Sequence, residues 1–318
     1  MANYLVTGGA GFIGSNIVKR LLEKGECVRV VDNLSTGKEE RLYSVRSSID
    51  FLQADLADPA TCDKAVQGID YVLHQAAIPS VQRSVEDPLS TNRANITATL
   101  NLLESSRKQR VRRVVFAASS SAYGNAETLP KHEKMEPNPC SPYALQKLVG
   151  ERYCRLYHDL FGLETVSLRY FNVFGPDQDP DSEYSAVIPK FIMRLLWGKT
   201  LVVYGDGEQS RDFTYIDNVV HANLLALAAK EAPGKVFNVG CGERISLNQL
   251  IGFIEAIVGK KAEVEHADPR QGDVRHSLAA IVLAEQILGY KPQVTTEEGL
   301  RRTVEAFSVA RRRTAPER

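Results

Sequence analysis

The chain has 318 residues, of which 43% are hydrophobic and 25% are charged, as in an ordinary globular protein. This length predicts about two domains, or one large α/β unit with an additional lobe, and allows a core without disulfides or metals. Lys and Arg together number 39, as do Asp and Glu, so the formal net charge is zero. That balance favours neither nucleic acids nor anionic membranes as partners.

The five cysteines form no Cys-x-x-Cys pair and no Cys/His cluster with the spacing of metal ligands. No apolar run approaches the roughly 20 residues that span a bilayer. Because the cysteine count is odd and no segment resembles a signal peptide, we expect a cytoplasmic protein. We also expect no metal site and no membrane segment.

Short β-rich segments alternate with longer helical patterns in the first half of the chain, which is typical of a parallel sheet wound by helices. The predicted strands are Tyr4–Thr7, Val28–Val31, Asp50–Gln53, Tyr71–His74, Arg113–Ala117 and Glu164–Arg169. The predicted helices, in which apolar residues recur with helical spacing, are Gly11–Lys24, Asn92–Arg107 and Pro142–Phe161. The expected fold class is α/β, with a doubly wound parallel sheet.

The second half of the chain has a different pattern, beginning with a loop rich in Pro and Asp at residues 175–183. The elements predicted after it are a helix Ile188–Trp197, strands Leu201–Tyr204 and Lys235–Val239, and a helix Leu247–Ile257. These elements predict a smaller α/β lobe interleaved with the main sheet.

Three glycines follow the first predicted strand at regular spacing. Gly8, Gly11 and Gly14 form the pattern G-x-x-G-x-x-G between a strand and a helix. Glycines there allow a tight turn and a close approach of the backbone to a pyrophosphate at the helix N-terminus. Asp32 ends the second strand, where a carboxylate can accept from both ribose hydroxyls, so NAD is favoured over NADP. Lys38 leaves the possibility of a 2′-phosphate open.

Tyr143 and Lys147 lie four residues apart on a predicted helix, so their side chains project from one face. A phenol with a pKa of about 10 is a poor base at neutral pH, but an adjacent ammonium and a positive nicotinamide ring would lower that pKa. The run Ser119-Ser120-Ser121 follows another parallel strand, and parallel strands end at one edge of a sheet. These hydroxyl, phenol and amine groups are the candidate catalytic residues.

The chain resembles the extended short-chain dehydrogenase/reductase family and, within it, the nucleotide-sugar 4-epimerases. The motifs that carry the resemblance extend over nearly the whole chain and are Thr7–Gly14, His74–Ala77, Ser119–Gly124, Pro142–Lys147, Arg169–Gly175 and Ser210–Phe213. The resemblance implies an NAD-binding Rossmann domain of residues 1–171 and roughly 212–242, with a UDP-sugar-binding lobe of roughly 172–211 and 243–318. It also implies a homodimer that pairs helices Asn92–Arg107 and Pro142–Phe161 in a four-helix bundle.

The same resemblance implies roles for particular residues. Tyr143 would be the base, Lys147 its electrostatic partner and Ser119 the active-site serine, with Ser120 and Ser121 able to share its work. The residues implied at the NAD site are Gly8, Gly11, Phe12, Ile13, Gly14, Asp32, Asn33, Ser35, Gly37, Asp55, Leu56, Ala76, Asn95, Tyr143, Lys147 and Tyr170. The residues implied at the nucleotide diphosphate are Asn172, Ala186, Val187, Lys190, Tyr204, Arg211, Arg270 and Asp273.

The implied reaction is a reversible inversion at carbon 4 of a UDP-hexose, through a 4-keto intermediate and with NAD retained. Ser277 occupies the position that gates the sugar pocket in these epimerases, and its small side chain leaves room for a 2-acetamido group. The implied substrates are therefore UDP-GlcNAc and UDP-GalNAc, with UDP-glucose and UDP-galactose as a second pair.

Three alternatives stay open on the sequence. Dehydratases and decarboxylases on this scaffold carry acidic residues where this chain has Ser120 and Ser121, so both reactions are disfavoured. A UDP-glucuronic acid 4-epimerase would need a cation for the carboxylate, and Arg83 is available in a loop near the sugar. An NAD(H)-binding regulatory protein is the alternative without catalysis, and the presence of Tyr143 and Lys147 weighs against it.

Overall fold

A seven-stranded parallel sheet forms the centre of the computed structural model, which describes residues 1–179, 186–269 and 274–314, with side chains to residue 309. The strands are β1 (Asn3–Thr7), β2 (Cys27–Asp32), β3 (Ile49–Gln53), β4 (Tyr71–His74), β5 (Arg113–Ser119), β6 (Glu164–Tyr170), β7 (Val173–Phe174), β8 (Leu201–Tyr204), β9 (Ser210–Arg211), β10 (Thr214–Tyr215), β11 (Lys235–Val239), β12 (Ile245–Ser246) and β13 (Val264–Ala267). The order in the large sheet is β11-β6-β5-β4-β1-β2-β3, and the remaining strands form the pairs β7–β10, β8–β13 and β9–β12.

Helices cover both faces of this sheet. They are α1 (Phe12–Glu23), α2 (Pro59–Val66), α3 (Val81–Glu86), α4 (Pro88–Asn92), α5 (Ala98–Lys108), α6 (Pro142–Phe161), α7 (Val187–Leu196), α8 (Ile216–Ala228), α9 (Leu247–Val258), α10 (Val282–Leu288) and α11 (Thr296–Thr314). Two short 3-10 helices lie at Glu39–Ser48 and Ser120–Tyr123. One apolar core contains the inner faces of α1 and α8, and a second contains those of α2, α5 and α6. The predicted α/β fold with a doubly wound parallel sheet is confirmed, whereas the division into two domains stays a prediction.

The predicted strands all exist, with ends that differ by two residues or fewer, and helix Pro142–Phe161 matches residue for residue. The helix predicted over Asn92–Arg107 is present, but it starts earlier and is not a regular α-helix throughout. The chain becomes helical at Pro88, and a π-helical turn over Arg93–Thr97 separates α4 from α5. In that turn the Asn95 side chain points inward, where it accepts from Ile78 N at 2.8 Å and donates to Gln146 Oε1 at 2.8 Å. The π-helical turn therefore coincides with a contact between Asn95 and the loop that contains Ile78.

Helix α6 is held closely against β5 and β6. The Ser141 side chain caps its first turn by accepting from Ala144 N at 3.1 Å. A Cβ on Gly150 would lie 2.5 Å from the Phe116 ring, so only glycine allows the helix this close to the strand. Farther along, Glu151 accepts two hydrogen bonds from Arg169, at 2.8 and 2.7 Å. These contacts fix the position of α6 over the ends of two central strands.

The structure also bears on the metal and membrane expectations. All five cysteines are unpaired. Within residues 1–179, 186–269 and 274–314, no three His, Cys, Asp or Glu side chains come together in a way that could hold a metal ion. Across the same residues, no helix is both long and apolar enough to cross a membrane.

The His74 imidazole makes stability depend on pH. Its side chain is buried between Thr7 Oγ1, at 2.7 Å, and Thr99 Oγ1, at 2.9 Å. Burial, reinforced by the charge of Lys147, lowers its pKa from 6.5 to about 3. Between these two pKa values the unfolded chain binds a proton on His74 and the folded chain does not. The contribution of neutral His74 to stability is therefore fully present above pH 6.5 and is lost as the pH falls towards 3.

We expect the free energy of unfolding to fall by about 2 kcal/mol from this residue between pH 7.5 and 5. His74→Gln, which cannot titrate, should remove that part of the pH dependence in urea unfolding measured at both pH values. His266→Gln, which changes an exposed histidine, should leave the dependence intact. An equal pH dependence in His74→Gln and the unaltered protein would contradict the assignment.

Candidate active site

The glycine loop between β1 and α1 leaves no room for side chains on its inner side. Gly8 has φ +64°, and a Cβ there would lie 2.7 Å from the Ala76 backbone. A Cβ on Gly14 would lie 2.2 Å from Gly8 O. On the outer side, a Cβ on Gly11 would meet only Gly8 O, at 3.0 Å, and no side chain caps the first turn of α1. The loop thus presents an open helix N-terminus, which fits a pyrophosphate.

A carboxylate is fixed at the end of β2. Asp32 Oδ2 accepts from Ala10 N at 2.9 Å, and Oδ1 accepts from Leu34 N at 2.8 Å. Burial raises the Asp32 pKa, and these two backbone N–H groups oppose the rise. A Cβ on Gly37 would lie 2.8 Å from Oδ1, so the carboxylate can hold this position only because residue 37 is glycine. Each oxygen keeps a lone pair for a ribose hydroxyl.

The remaining predicted cofactor residues surround this edge of the sheet. Phe12 and Ile13 begin α1, Asn33 and Ser35 follow β2, Asp55 and Leu56 follow β3, and Ala76 follows β4. Asn95 and Tyr170 are buried, and their polar groups are bonded within the protein, Asn95 to Ile78 and Gln146, Tyr170 to Gln75 and Asn223. The roles of all these residues stay predictions, and the glycine loop and Asp32 are the features that fit NAD most directly.

The candidate catalytic side chains come together where β5 ends. The Tyr143 side chain adjoins Ser119, whose Oγ accepts from Ser121 Oγ at 2.8 Å. Lys147 lies one helical turn after Tyr143, is buried, and donates from Nζ to Ala117 O at 2.8 Å. The Ser121 and Ser119 hydroxyls thus form a bonded pair next to Tyr143, and the Ser120 hydroxyl does not belong to that pair.

The protein's own residues do not lower the pKa of Tyr143 as expected. Burial raises the pKa of Tyr143, and only the neighbouring Ser119 side chain acts against the rise. Lys147 is turned towards Ala117 O, and burial lowers its own pKa to about 8. A phenolate at neutral pH therefore requires additional positive charge, which an oxidised nicotinamide ring carries.

A cavity of about 290 Å³ opens beside the loop that follows β6. Six of the predicted substrate residues line it, namely Asn172, Ala186, Val187, Lys190, Tyr204 and Arg211. Arg270 and Asp273 were predicted at the same place but lie outside the described residues. Ser277 is not in the cavity wall, although its backbone N donates to Ser210 O at 3.0 Å, immediately before Arg211.

The sequence analysis missed the apolar and neutral part of this wall. The residues concerned are Val173, Phe174, Ile188, Phe191, Val202, Gln209, Phe213 and Leu247. Phe213 is the last residue of the Ser210–Phe213 motif and Gln209 directly precedes it, so that motif was the available signal. The other residues recur with the periodicity of ordinary core positions. Nothing in the sequence distinguishes residues that line the cavity from residues that pack in the core.

Comparisons with known proteins agree with this site. The model of the NAD dependent epimerase/dehydratase family matches residues 4–240. UDP-glucose 4-epimerase from Mycolicibacterium smegmatis is 40% identical over 307 residues, covering 95% of this chain and 97% of that protein. UDP-glucuronate 4-epimerase from Thermodesulfobacterium geofontis is 38% identical over 315 residues, covering 96% and 95%. The structure of UDP-N-acetylglucosamine 4-epimerase from Methanobrevibacter ruminantium M1, in complex with UDP-N-acetylmuramic acid, has a TM-score of 0.93 at 42% identity and covers 97% of this chain and 99% of that chain.

The Rossmann-type sheet and the groups at its carboxyl edge define a dinucleotide-dependent enzyme. The family match and the identities to whole relatives make the assignment specific, and the chain belongs to the NAD dependent epimerase/dehydratase family. Its cofactor is NAD, and it is an isomerase like the 4-epimerases that it resembles.

Proposed function

We propose that the chain interconverts UDP-GlcNAc and UDP-GalNAc by inversion at carbon 4, and that UDP-glucose and UDP-galactose are a second substrate pair. The observation that carries the proposal is the hydrogen-bonded pair Ser121–Ser119 beside Tyr143, at the same edge of the sheet as the glycine loop. This arrangement provides a phenol oxygen that can exchange a proton with a sugar hydroxyl.

In the proposed reaction, Tyr143 takes the proton of the 4-hydroxyl and later returns it. Ser119 holds the phenol oxygen and orients the substrate oxygen, and Ser121 fixes Ser119 by donating to it. Bound NAD supplies the hydride chemistry at carbon 4, first as acceptor and then as donor. The resemblance implies that Lys147 holds the ribose that carries the nicotinamide. Its buried ammonium would add positive charge close to that ribose.

The cavity residues support recognition of the nucleotide part of the substrate. Arg211 and Lys190 offer cationic groups for a pyrophosphate, and the exposed ring of Tyr204 offers a face for a base. An anchor at the nucleotide leaves the hexose free to present either face of its 4-keto form to the hydride donor. This freedom is what a 4-epimerase requires of its substrate.

The preference for N-acetylated sugars depends on Ser277. Its segment runs beside the cavity, since Arg211 Nη1 donates to Arg275 O at 3.1 Å and Ser277 N donates to Ser210 O. A small residue there leaves volume for an acetamido group, and the similarity to the Methanobrevibacter enzyme supports the same substrate class.

UDP-glucuronic acid is the second candidate substrate, because a UDP-glucuronate 4-epimerase is 38% identical over nearly the whole chain. Arg83 would bind the carboxylate. It lies on α3, whose Ser84 Oγ accepts from Tyr143 N at 3.0 Å, so this helix adjoins the start of the catalytic helix. Dehydration and decarboxylation stay disfavoured by Ser120 and Ser121, which offer no carboxylate.

We also propose a homodimer through α5 and α6. Leu145, Leu156 and Leu160 are 51, 49 and 68% exposed, and their spacing places them on one face of α6. An exposed apolar stripe of this kind is typical of a helix that pairs with another subunit. The location of the protein in the cytoplasm stays an expectation.

Tyr143→Phe should reduce turnover by about 10²- to 10⁴-fold, since the variant keeps the ring but has no proton to exchange. Tyr43→Phe, at an exposed tyrosine of the 3-10 helix Glu39–Ser48, should retain full activity. The measurement is the rate of hexose inversion, with bound NAD quantified in each preparation. Wild-type turnover in Tyr143→Phe would refute the proposed mechanism.

Proton NMR of the protein with UDP-GlcNAc should show new anomeric signals of the galacto configuration. Ser277→Tyr should abolish this conversion while conversion of UDP-glucose persists, because the bulkier ring fills the space for the acetamido group. Ser277→Ala should convert both sugars. Conversion of UDP-glucuronic acid alone would replace the proposed substrates with the second candidate.

Leu156→Glu/Leu160→Glu should shift the mass measured by light scattering from dimer to monomer, because burying two carboxylates in an apolar interface is unfavourable. Val282→Glu, at an exposed apolar residue of α10, should leave the mass unchanged. A monomeric mass for the unaltered protein would reject the dimer.

A further inference from the structure

The loop that follows β7 binds cationic side chains near the glycine loop. Lys38 Nζ lies 2.7 Å from Asp179 Oδ2, and Lys19 Nζ lies 3.3 Å from Asp177 Oδ2. Arg41 donates from Nε and Nη2 to the Asp177 carbonyl at 3.1 and 2.9 Å. We call residues Asp177–Asp179 the acidic strap. Three cations from the first 41 residues are therefore engaged by one short segment more than 130 residues later.

Two of these cations flank the carboxylate that fits the adenosine ribose. The Lys38 backbone N donates to Ala10 O at 2.9 Å, and Arg41 Nη1 donates to the same oxygen at 3.2 Å. The Ala10 backbone N in turn donates to Asp32 Oδ2 at 2.9 Å. Lys38 and Arg41 are thus connected to Asp32 by hydrogen bonds through the backbone of one residue, Ala10.

This arrangement matters because NADP differs from NAD only by a phosphate on the adenosine ribose. That phosphate carries close to two negative charges, and proteins bind it with lysine or arginine at this place in the fold. The chain has suitable cations beside Asp32, but Asp179 neutralises the Lys38 ammonium and the strap backbone holds the Arg41 guanidinium.

We propose that the acidic strap is a second determinant of NAD selectivity, which acts with Asp32 by withholding Lys38 and Arg41 from a 2′-phosphate. The two strap carboxylates also add negative charge next to the place where that phosphate would lie. The proposal rests on NAD as the cofactor and is independent of which sugar the enzyme converts.

The test is a competition between the two cofactors. The purified protein is equilibrated with equal concentrations of NAD⁺ and NADP⁺, separated from unbound cofactor by gel filtration and denatured, and the released cofactors are quantified by chromatography. In Asp177→Asn/Asp179→Asn the bound NADP⁺ to NAD⁺ ratio should rise about tenfold, since a freed lysine meets a doubly charged phosphate near the surface. The rise should shrink at high ionic strength.

Matched variants separate this effect from a general change in charge. Asp50→Asn/Asp159→Asn also removes two carboxylates from surface ion pairs, with Arg29 and Arg155, and should leave the ratio unchanged. Adding Lys38→Ala to the strap variant should abolish the gain. Asp177 has φ +67°, which asparagine also adopts, so the strap variant should keep its backbone.

Asp179→Asn alone frees Lys38 while the Lys19–Asp177 ion pair remains, and it provides the same test with a smaller perturbation. An unchanged ratio in both strap variants would overturn the proposal. So would an equal rise in the Asp50→Asn/Asp159→Asn control, or a gain that persists after Lys38→Ala.

Discussion

The buried ion pair between Glu151 and Arg169 determines where the catalytic helix lies. The two side chains are only 4 and 2% exposed, and two hydrogen bonds join them. Removing both charges from water is costly, and doubly hydrogen-bonded geometry offsets that cost. Removing one partner would leave a buried charge, at a cost of about 3–5 kcal/mol. Arg169 pairs in register with Ala118, the residue before Ser119. The pair thus sets α6, and with it the Tyr143 phenol, against the end of β5.

The same arginine connects the catalytic edge to the second half of the chain. Its guanidinium lies 4.6 Å from the centre of the Tyr123 ring, and the Tyr123 hydroxyl donates to Asn238 Oδ1 at 2.7 Å. The Asn238 amide donates to the carbonyls of Lys131 and Ala280, at 2.9 and 3.1 Å. The turn that carries the serines and the segment that follows Ser277 therefore share one buried polar network, which favours a single relative position for the two.

Features with a local signal could be predicted from the sequence, and features made by distant contacts could not. Glycine spacing, strand alternation and the Tyr143–Lys147 interval are read within a few residues of each other. Helix α8 was missed because it is apolar on most sides, and its buried Asn223 is bonded to Tyr170, far away in sequence. The direction of the Tyr143 pKa was missed for a similar reason, since packing around the phenol, and not the neighbouring lysine, decides it. The acidic strap likewise depends on ion pairs between opposite halves of the chain.

Asp212 ties the substrate cavity to the sheet through backbone groups alone. Its buried carboxylate accepts from Cys241 N, Gly242 N and Ala279 N, at 2.8, 3.0 and 3.1 Å, and it directly follows the cavity residue Arg211. Because the donors are main-chain amides, a substitution at position 241 leaves all three hydrogen bonds in place, whereas Ala279 is buried and a Cβ on Gly240 would lie 2.6 Å from the Ala279 Cβ. A chimera that exchanges this part of the chain between relatives would therefore have to transplant this aspartate, the course of the three chain segments and the small residues at 240 and 279 together.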